Sequence, residues 1–73
     1  MEIHEKIAKA QHEIWAHWMK YLFSNCDVYN GIHVIHCDKV RRWKRQMKTP
    51  YDKLTEAEKE SDREQADKIL KIL

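Results

Sequence analysis

The chain has 73 residues, of which 42% are hydrophobic and 36% are charged. This length allows a single domain, residues 1–73, with a thin core, and it excludes a two-domain cleft, a barrel or a doubly wound sheet. One Gly and one Pro also exclude a turn-rich β-sandwich, so we expect an all-α fold. The net charge is only +2, but residues 39–54 carry seven bases against one acid, which favours a localised anion-binding face.

The first predicted element is a long helix over residues 2–24. Its apolar residues recur at the three- and four-residue spacing of a helix; they are Ile3, Ile7, Ala10, Ile14, Trp18 and Leu22. Trp15, Met19 and Phe23 widen this stripe to one side. The surplus aromatic surface either fills the core of a small domain or forms a homodimer or partner surface. We favour self-association, because a small core supplies little stability.

Residues 25–37 form the irregular part of the chain. Asn30-Gly31 is a turn signal. The β-branched run that follows, residues 32–35, is too short to found a sheet, so we expect a loop. We expect that loop to place Ile32, Val34 or Ile35 in the core.

Two shorter helices are predicted after this loop. Asp38 caps the first, residues 39–48, whose inner stripe is Val40, Trp43 and Met47. It ends at Thr49-Pro50, because the residue before a proline disfavours the helical conformation. After a connector over residues 49–54, Thr55 and Glu58 form a capping box that starts the last helix. The core stripe predicted for that helix is Ala66, Ile69, Leu70 and Leu73.

Metal binding and catalysis both lack the necessary spacing. Four residues have the right chemistry for zinc, but they lack a Cys-x-x-Cys hook; they are Cys26, His33, His36 and Cys37. His12 and Glu13 are adjacent, so they do not face each other on a helix. No Ser or Cys nucleophile has a base at a recognisable spacing in the sequence. We expect no metal, no cofactor and no enzyme activity.

The chain also lacks the signals of export. No signal peptide opens it, and no apolar run approaches ~18 residues, which argues against a membrane span. We therefore expect a cytoplasmic protein with both cysteines reduced. A disulfide between Cys26 and Cys37 requires a different compartment.

Residues 50–63, PYDKLTEAEKESDR, carry a resemblance to a known family. They resemble the Pro-Tyr-x-x-Leu-[Ser/Thr/Pro]-x-x-Glu-Lys-x-x-Asp-Arg signature of ryanodine receptor (RyR) repeat domains. His12 and Trp15 are similar to the His-x-x-Trp of that family's first helix, and the likeness spans roughly residues 7–73. Receptor repeats are longer, occur in tandem and have a Gly-Trp-x-Tyr-Gly element whose glycines are absent here. A single minimal copy resembles the free-standing forms of bacteria and their phages.

The resemblance implies a compact, non-catalytic helical module that binds a small anionic ligand, above all a nucleotide-derived signal. A phage-encoded copy in the host cytoplasm would sequester a host defence signal. The candidate ligand-binding residues are aromatic faces for a base and guanidinium groups for phosphate; they are Trp18, Tyr21, Arg41, Arg42, Arg45 and Tyr51.

Each of these features also has an architectural interpretation. The stripe of the basic helix predicts that its aromatic residue faces the core while its bases cover the solvent side. In the C-terminal motif, one interpretation places Tyr51, Lys59, Asp62 and Arg63 around a ligand groove. In the other, Tyr51 packs into the core with its hydroxyl paired, and Asp62 and Arg63 hold the helices together by ion pairs. We favour the second, because a fold signature more often records packing than chemistry.

Two other classes of partner compete with a small ligand. The first alternative is a protein-interaction or self-association module without a small-molecule ligand. Nucleic acid is a minor hypothesis, because a net charge of +2 lacks the domain-wide basicity of such binders.

Overall fold

The computed structural model describes residues 2–73. In chain order these form α1 (Ile3–Ser24), β1 (Asp27–Tyr29), β2 (Ile32–Val34), α2 (Cys37–Lys48), a one-turn 3-10 helix (Tyr51–Lys53) and α3 (Glu56–Leu70). The protein is mostly helical, as expected, but the purely all-α prediction is wrong because β1 and β2 form a small sheet. Within the described range, no helix combines the length and the apolarity needed to cross a membrane.

The two strands pair antiparallel where a loop was expected. Tyr29 lies opposite Ile32, and the turn between them has positive φ angles at both central residues, 48° at Asn30 and 80° at Gly31. Two consecutive left-handed residues are the geometry of a tight hairpin turn, and Asn-Gly is the pair that tolerates it best. Ile32 is 64% exposed and Val34 39% exposed, so neither enters the core, whereas Ile35 is half-buried.

The hairpin is attached to both neighbouring helices. Asp27 Oδ2 lies 2.6 Å from His36 Nε2, just before α2 begins. The rings of Phe23 and His33 meet edge to face, with centroids 5.6 Å apart, at the end of α1. These contacts connect the hairpin to the end of α1 and to the residue that precedes α2.

Helix α1 packs against α3 through part of its predicted stripe. Ala10 is buried, and Ile14, Trp18 and Leu22 are half-buried. The N-terminal end of the stripe remains exposed at Ile3 and Ile7, and so do Trp15 and Phe23, which widen it. One side of the helix is therefore used for packing, and much of the surplus apolar surface faces solvent.

Helix α2 begins two residues earlier than Asp38 predicts. His36 is its N-cap residue, and Asp38 lies in the first turn, where a carboxylate interacts favourably with the positive end of the helix dipole. The helix ends at Lys48, two residues before Pro50, as predicted. Met47 was expected on the inner stripe, but it is 76% exposed, so that assignment is wrong.

Helix α3 begins with the predicted capping box. Glu58 N donates to Thr55 Oγ1 at 3.2 Å, and Thr55 N donates to Glu58 Oε1 at 3.0 Å. Its predicted core stripe is mostly wrong: Ile69 is half-buried, whereas Ala66, Leu70 and Leu73 are exposed. The residue that is buried on this helix is Gln65.

Candidate functional site

Three aromatic side chains meet where α1 and α2 approach each other, and we call them the aromatic cluster: Trp18, Tyr21 and Trp43. Trp18 and Tyr21 are three residues apart on α1, so they share one face, and their rings meet edge to face with centroids 6.1 Å apart. The ring of Trp43, on α2, lies 6.0 Å from that of Tyr21. The aromatic cluster therefore forms a wall between the two helices.

A large cavity, the aromatic groove, is lined in part by this cluster. Its volume is about 780 Å³, which is within the range of ligand pockets. Its lining comes from α1, α2, the connector and α3: Trp18, Met19, Tyr21, Leu22, Trp43, Gln46, Met47, Thr49, Tyr51, Leu54 and Asp62. Asp62 is the single charged residue of this lining, so the aromatic groove favours apolar or cationic groups over anions.

A smaller cavity, the polar cavity, is also lined by the aromatic cluster. Its volume is about 430 Å³. It shares the aromatic cluster and Gln46 with the aromatic groove; the rest of its lining is His17, Arg42, Arg45, Thr55, Ala57, Glu58, Ser61 and Glu64. This cavity places guanidinium groups beside aromatic rings, which is the combination expected for an anion attached to a planar base.

One of the two guanidinium groups in the polar cavity is already paired. Arg45 Nη2 donates to Glu58 Oε2 at 2.9 Å. The hydrogen bond from the Thr55 backbone is the main cause that lowers the pKa of Glu58, and the Thr55 hydroxyl and Arg45 add to it, so the carboxylate stays ionised. Arg42 forms no ion pair within residues 2–73. Arg42 is therefore the cation left to meet an anion in this cavity.

The predicted ligand residues do not all converge. Trp18 and Tyr21 line both cavities, whereas Tyr51 lines the aromatic groove and Arg42 and Arg45 line the polar cavity. The sixth candidate, Arg41, lines neither. Its Nε donates to the carbonyl of Cys37 at 3.4 Å, and its Nη2 lies 3.7 Å from the Cys37 sulfur. Arg41 thus contacts the backbone carbonyl and the sulfur of Cys37, one turn earlier on the same helix, and not the aromatic cluster.

The residues of the C-terminal motif are divided between the aromatic groove and α3 itself. Tyr51 is 46% exposed, and Lys59 Nζ lies 5.8 Å from the centre of its ring. Arg63 forms ion pairs with Glu60 at 3.2 Å and Glu56 at 3.5 Å, both on its own helix. The hydrogen bond to Glu60 is the main cause that raises the pKa of Arg63. In residues 2–73 neither Asp62 nor Arg63 supplies an ion pair between helices, contrary to the architectural interpretation.

Gln46 was missed as a site residue, although it lines both cavities. Its position three residues after Trp43 was the available signal, because residues three apart share a helix face. The acidic residues near Arg45 were harder to predict, because they lie on α3 and their approach to Arg45 depends on how α3 packs against α2.

Cys26 and Cys37 are both free thiols. Across residues 2–73, no group of three or more His, Cys, Asp or Glu side chains is placed to hold a metal ion. In comparisons with known proteins, no family model, no curated protein and no solved structure matches the chain. The likeness to RyR repeats therefore stays a prediction from residues 50–63.

Proposed function

We propose that this protein is a non-catalytic binding module for a small anionic ligand that carries an aromatic ring, a nucleotide-derived signal being the best candidate. The observation that supports it is the position of Arg42 in a cavity walled by Trp18, Tyr21 and Trp43. A base would stack on the aromatic cluster while its phosphate meets the guanidinium group of Arg42. In a phage, such a module would sequester a defence signal of the host.

The charges of the polar cavity limit which anions fit. Glu58 neutralises Arg45, and Glu64 adds a second carboxylate to the lining. A ligand with many phosphates would meet repulsion from these acids unless it displaced Arg45 from Glu58. We therefore expect a ligand with one or two phosphate groups to bind better than a triphosphate.

Isothermal titration against linear and cyclic adenine nucleotides tests this proposal. We expect heat of binding from at least one member of the panel, and at least about tenfold weaker binding by Arg42→Gln, because a charge-assisted hydrogen bond is lost. Arg41→Gln is the matched control: it removes the same charge from the same helix, outside both cavities, and should bind as the original chain does. Absence of heat across the panel, or equal losses in the two variants, would contradict the proposal.

The second candidate function is protein interaction or self-association without a small ligand. It is favoured by the loose packing of the chain, whose radius of gyration is 15.1 Å, compared with roughly 11 Å for a compact domain of this length. The only buried hydrophobic residue among residues 2–73 is Ala10. A protein of this shape gains stability when a partner covers its apolar surface.

A further inference from the structure

One of the apolar side chains that line the aromatic groove is largely exposed to solvent. Met47 lines the aromatic groove and is 76% exposed, and Tyr51 on the connector is 46% exposed. Met47 has a long, flexible and polarisable side chain, which suits insertion into an irregular apolar cavity. A single surface thus presents both a cavity and a side chain of the kind that fills such a cavity.

The surface area of the chain is too large for a compact monomer. It is 6072 Å², whereas a folded monomer of 8.9 kDa exposes roughly 4,800 Å². The difference, about a quarter more than expected, exceeds the roughly 800 Å² that each partner buries in a standard protein interface. One standard dimer interface would therefore remove more than half of the surplus.

The surface around the aromatic groove carries charges of both signs that have no partner among residues 2–73. Asp62 is the one charged residue of the lining, and in residues 2–73 it has no ion-pair partner. Met47 is preceded by Lys44 on the same helix face and followed by Lys48, neither of which forms an ion pair within the same range. A second copy that inserted Met47 would bring one of these ammonium groups towards Asp62.

We propose that a second copy of this chain covers the aromatic groove in a two-fold symmetric dimer. Met47 of each copy enters the aromatic groove of the other, and Lys44 or Lys48 pairs with Asp62 across the interface. The same surface serves on both copies, as two-fold symmetry requires. Arg42 lines the polar cavity and not the aromatic groove, whereas Met47 and Asp62 line only the aromatic groove, so dimerisation and ligand binding are tested by different substitutions.

Sedimentation equilibrium and light scattering test the dimer. The original chain should have twice the chain mass at micromolar concentration, and Met47→Glu should have the mass of one chain, because a carboxylate would enter an apolar cavity beside Asp62. Leu73→Glu is the matched control: it places the same charge at a position that is 79% exposed and outside the aromatic groove, and it should remain dimeric. Circular dichroism should show unchanged helix content in both variants.

A charge exchange tests the orientation of the two copies. Asp62→Lys alone and the double variant Lys44→Glu/Lys48→Glu alone should each be monomeric, because like charges then oppose each other. An equal mixture of these two variants should form a mixed dimer, since each lysine again meets a carboxylate. A monomer at every concentration would overturn the proposal. So would a dimer that survives Met47→Glu, or a mixture of the charge variants that fails to associate.

Discussion

Arg45 and Glu58 form the ion pair that joins α2 to α3, with Arg45 Nη2 2.9 Å from Glu58 Oε2. The other oxygen of the same carboxylate, Oε1, accepts a hydrogen bond from Thr55 N at 3.0 Å. The remaining ion pairs within residues 2–73 lie inside α3 or between Asp27 and His36. Glu58 therefore caps the N-terminus of α3 and also links α3 to α2 through an ion pair.

The two roles of Glu58 can be separated by substitution. Glu58→Gln keeps an oxygen for the Thr55 amide but removes the charge that Arg45 meets, whereas Glu58→Ala removes both contacts. We expect both variants to melt at a lower temperature than the original chain, and Glu58→Ala to melt at the lowest temperature, as measured by circular dichroism. Thr55→Ala, which removes only the hydroxyl of the cap, should cost about 1 kcal/mol. An unchanged melting temperature in Glu58→Ala would contradict this account.

Acidification should remove the contribution of Glu58. The Thr55 backbone hydrogen bond, with help from the Thr55 hydroxyl and Arg45, lowers the pKa of Glu58 below its ordinary value of 4.5 in the folded chain. A lowered folded pKa gives stability that is present above pH 4.5 and is lost as the pH falls through the folded pKa. The melting temperatures of the original chain and Glu58→Gln should therefore differ at pH 7 and converge in acid. A difference that stays constant to pH 3 would show that the charge of Glu58 is not involved.

Local signals in the sequence predicted the helix boundaries better than they predicted the packing. Pro50 and the Thr55–Glu58 capping box act within a few residues, and both mark the ends of helices in the structure. The hairpin was missed because its strands are only three residues long and its main signal, Asn30-Gly31, was interpreted as a loop turn.

Packing between helices decided the rest, and hydrophobicity alone did not indicate it. The face of α3 that turns inwards contains Gln65 and Ile69, whereas Leu70 is left exposed. In the candidate site, Trp18 was predicted from its stripe on α1. The pairing of Arg45 with Glu58 depends on the distance between α2 and α3, which no local pattern gives.

We expect the buried side chain of Gln65 to lower the free energy of unfolding of the protein. It is only 7% exposed, and its Oε1 has no hydrogen-bond partner in the described part of the chain. A buried acceptor without a partner costs about 1–3 kcal/mol, so Gln65→Met, which keeps the length of the side chain, should raise the free energy of unfolding by about 1 kcal/mol. Urea denaturation measures this change. Gln11→Met, at an exposed position on α1, controls for the intrinsic preference of Met and should have little effect. A lower stability of Gln65→Met would mean that the amide has a partner in solution.

The hairpin turn should be sensitive to Gly31 for reasons of backbone conformation alone. Its φ of 80° is a left-handed conformation, and no atom lies within 4 Å of the place a Cβ would take. Gly31→Ala should therefore cost about 1–2 kcal/mol through backbone strain, without a steric clash. Gly31→Asn should cost less, because Asn tolerates the left-handed region.

Amide hydrogen exchange of Tyr29 and Ile32, which face each other across the turn, measures the loss of pairing. Since Asp27 contacts His36 at the start of α2, we also expect faster exchange of the Val40 amide, which donates to the His36 carbonyl, in Gly31→Ala. Equal protection in the Ala and Asn variants would show that the turn does not require this conformation.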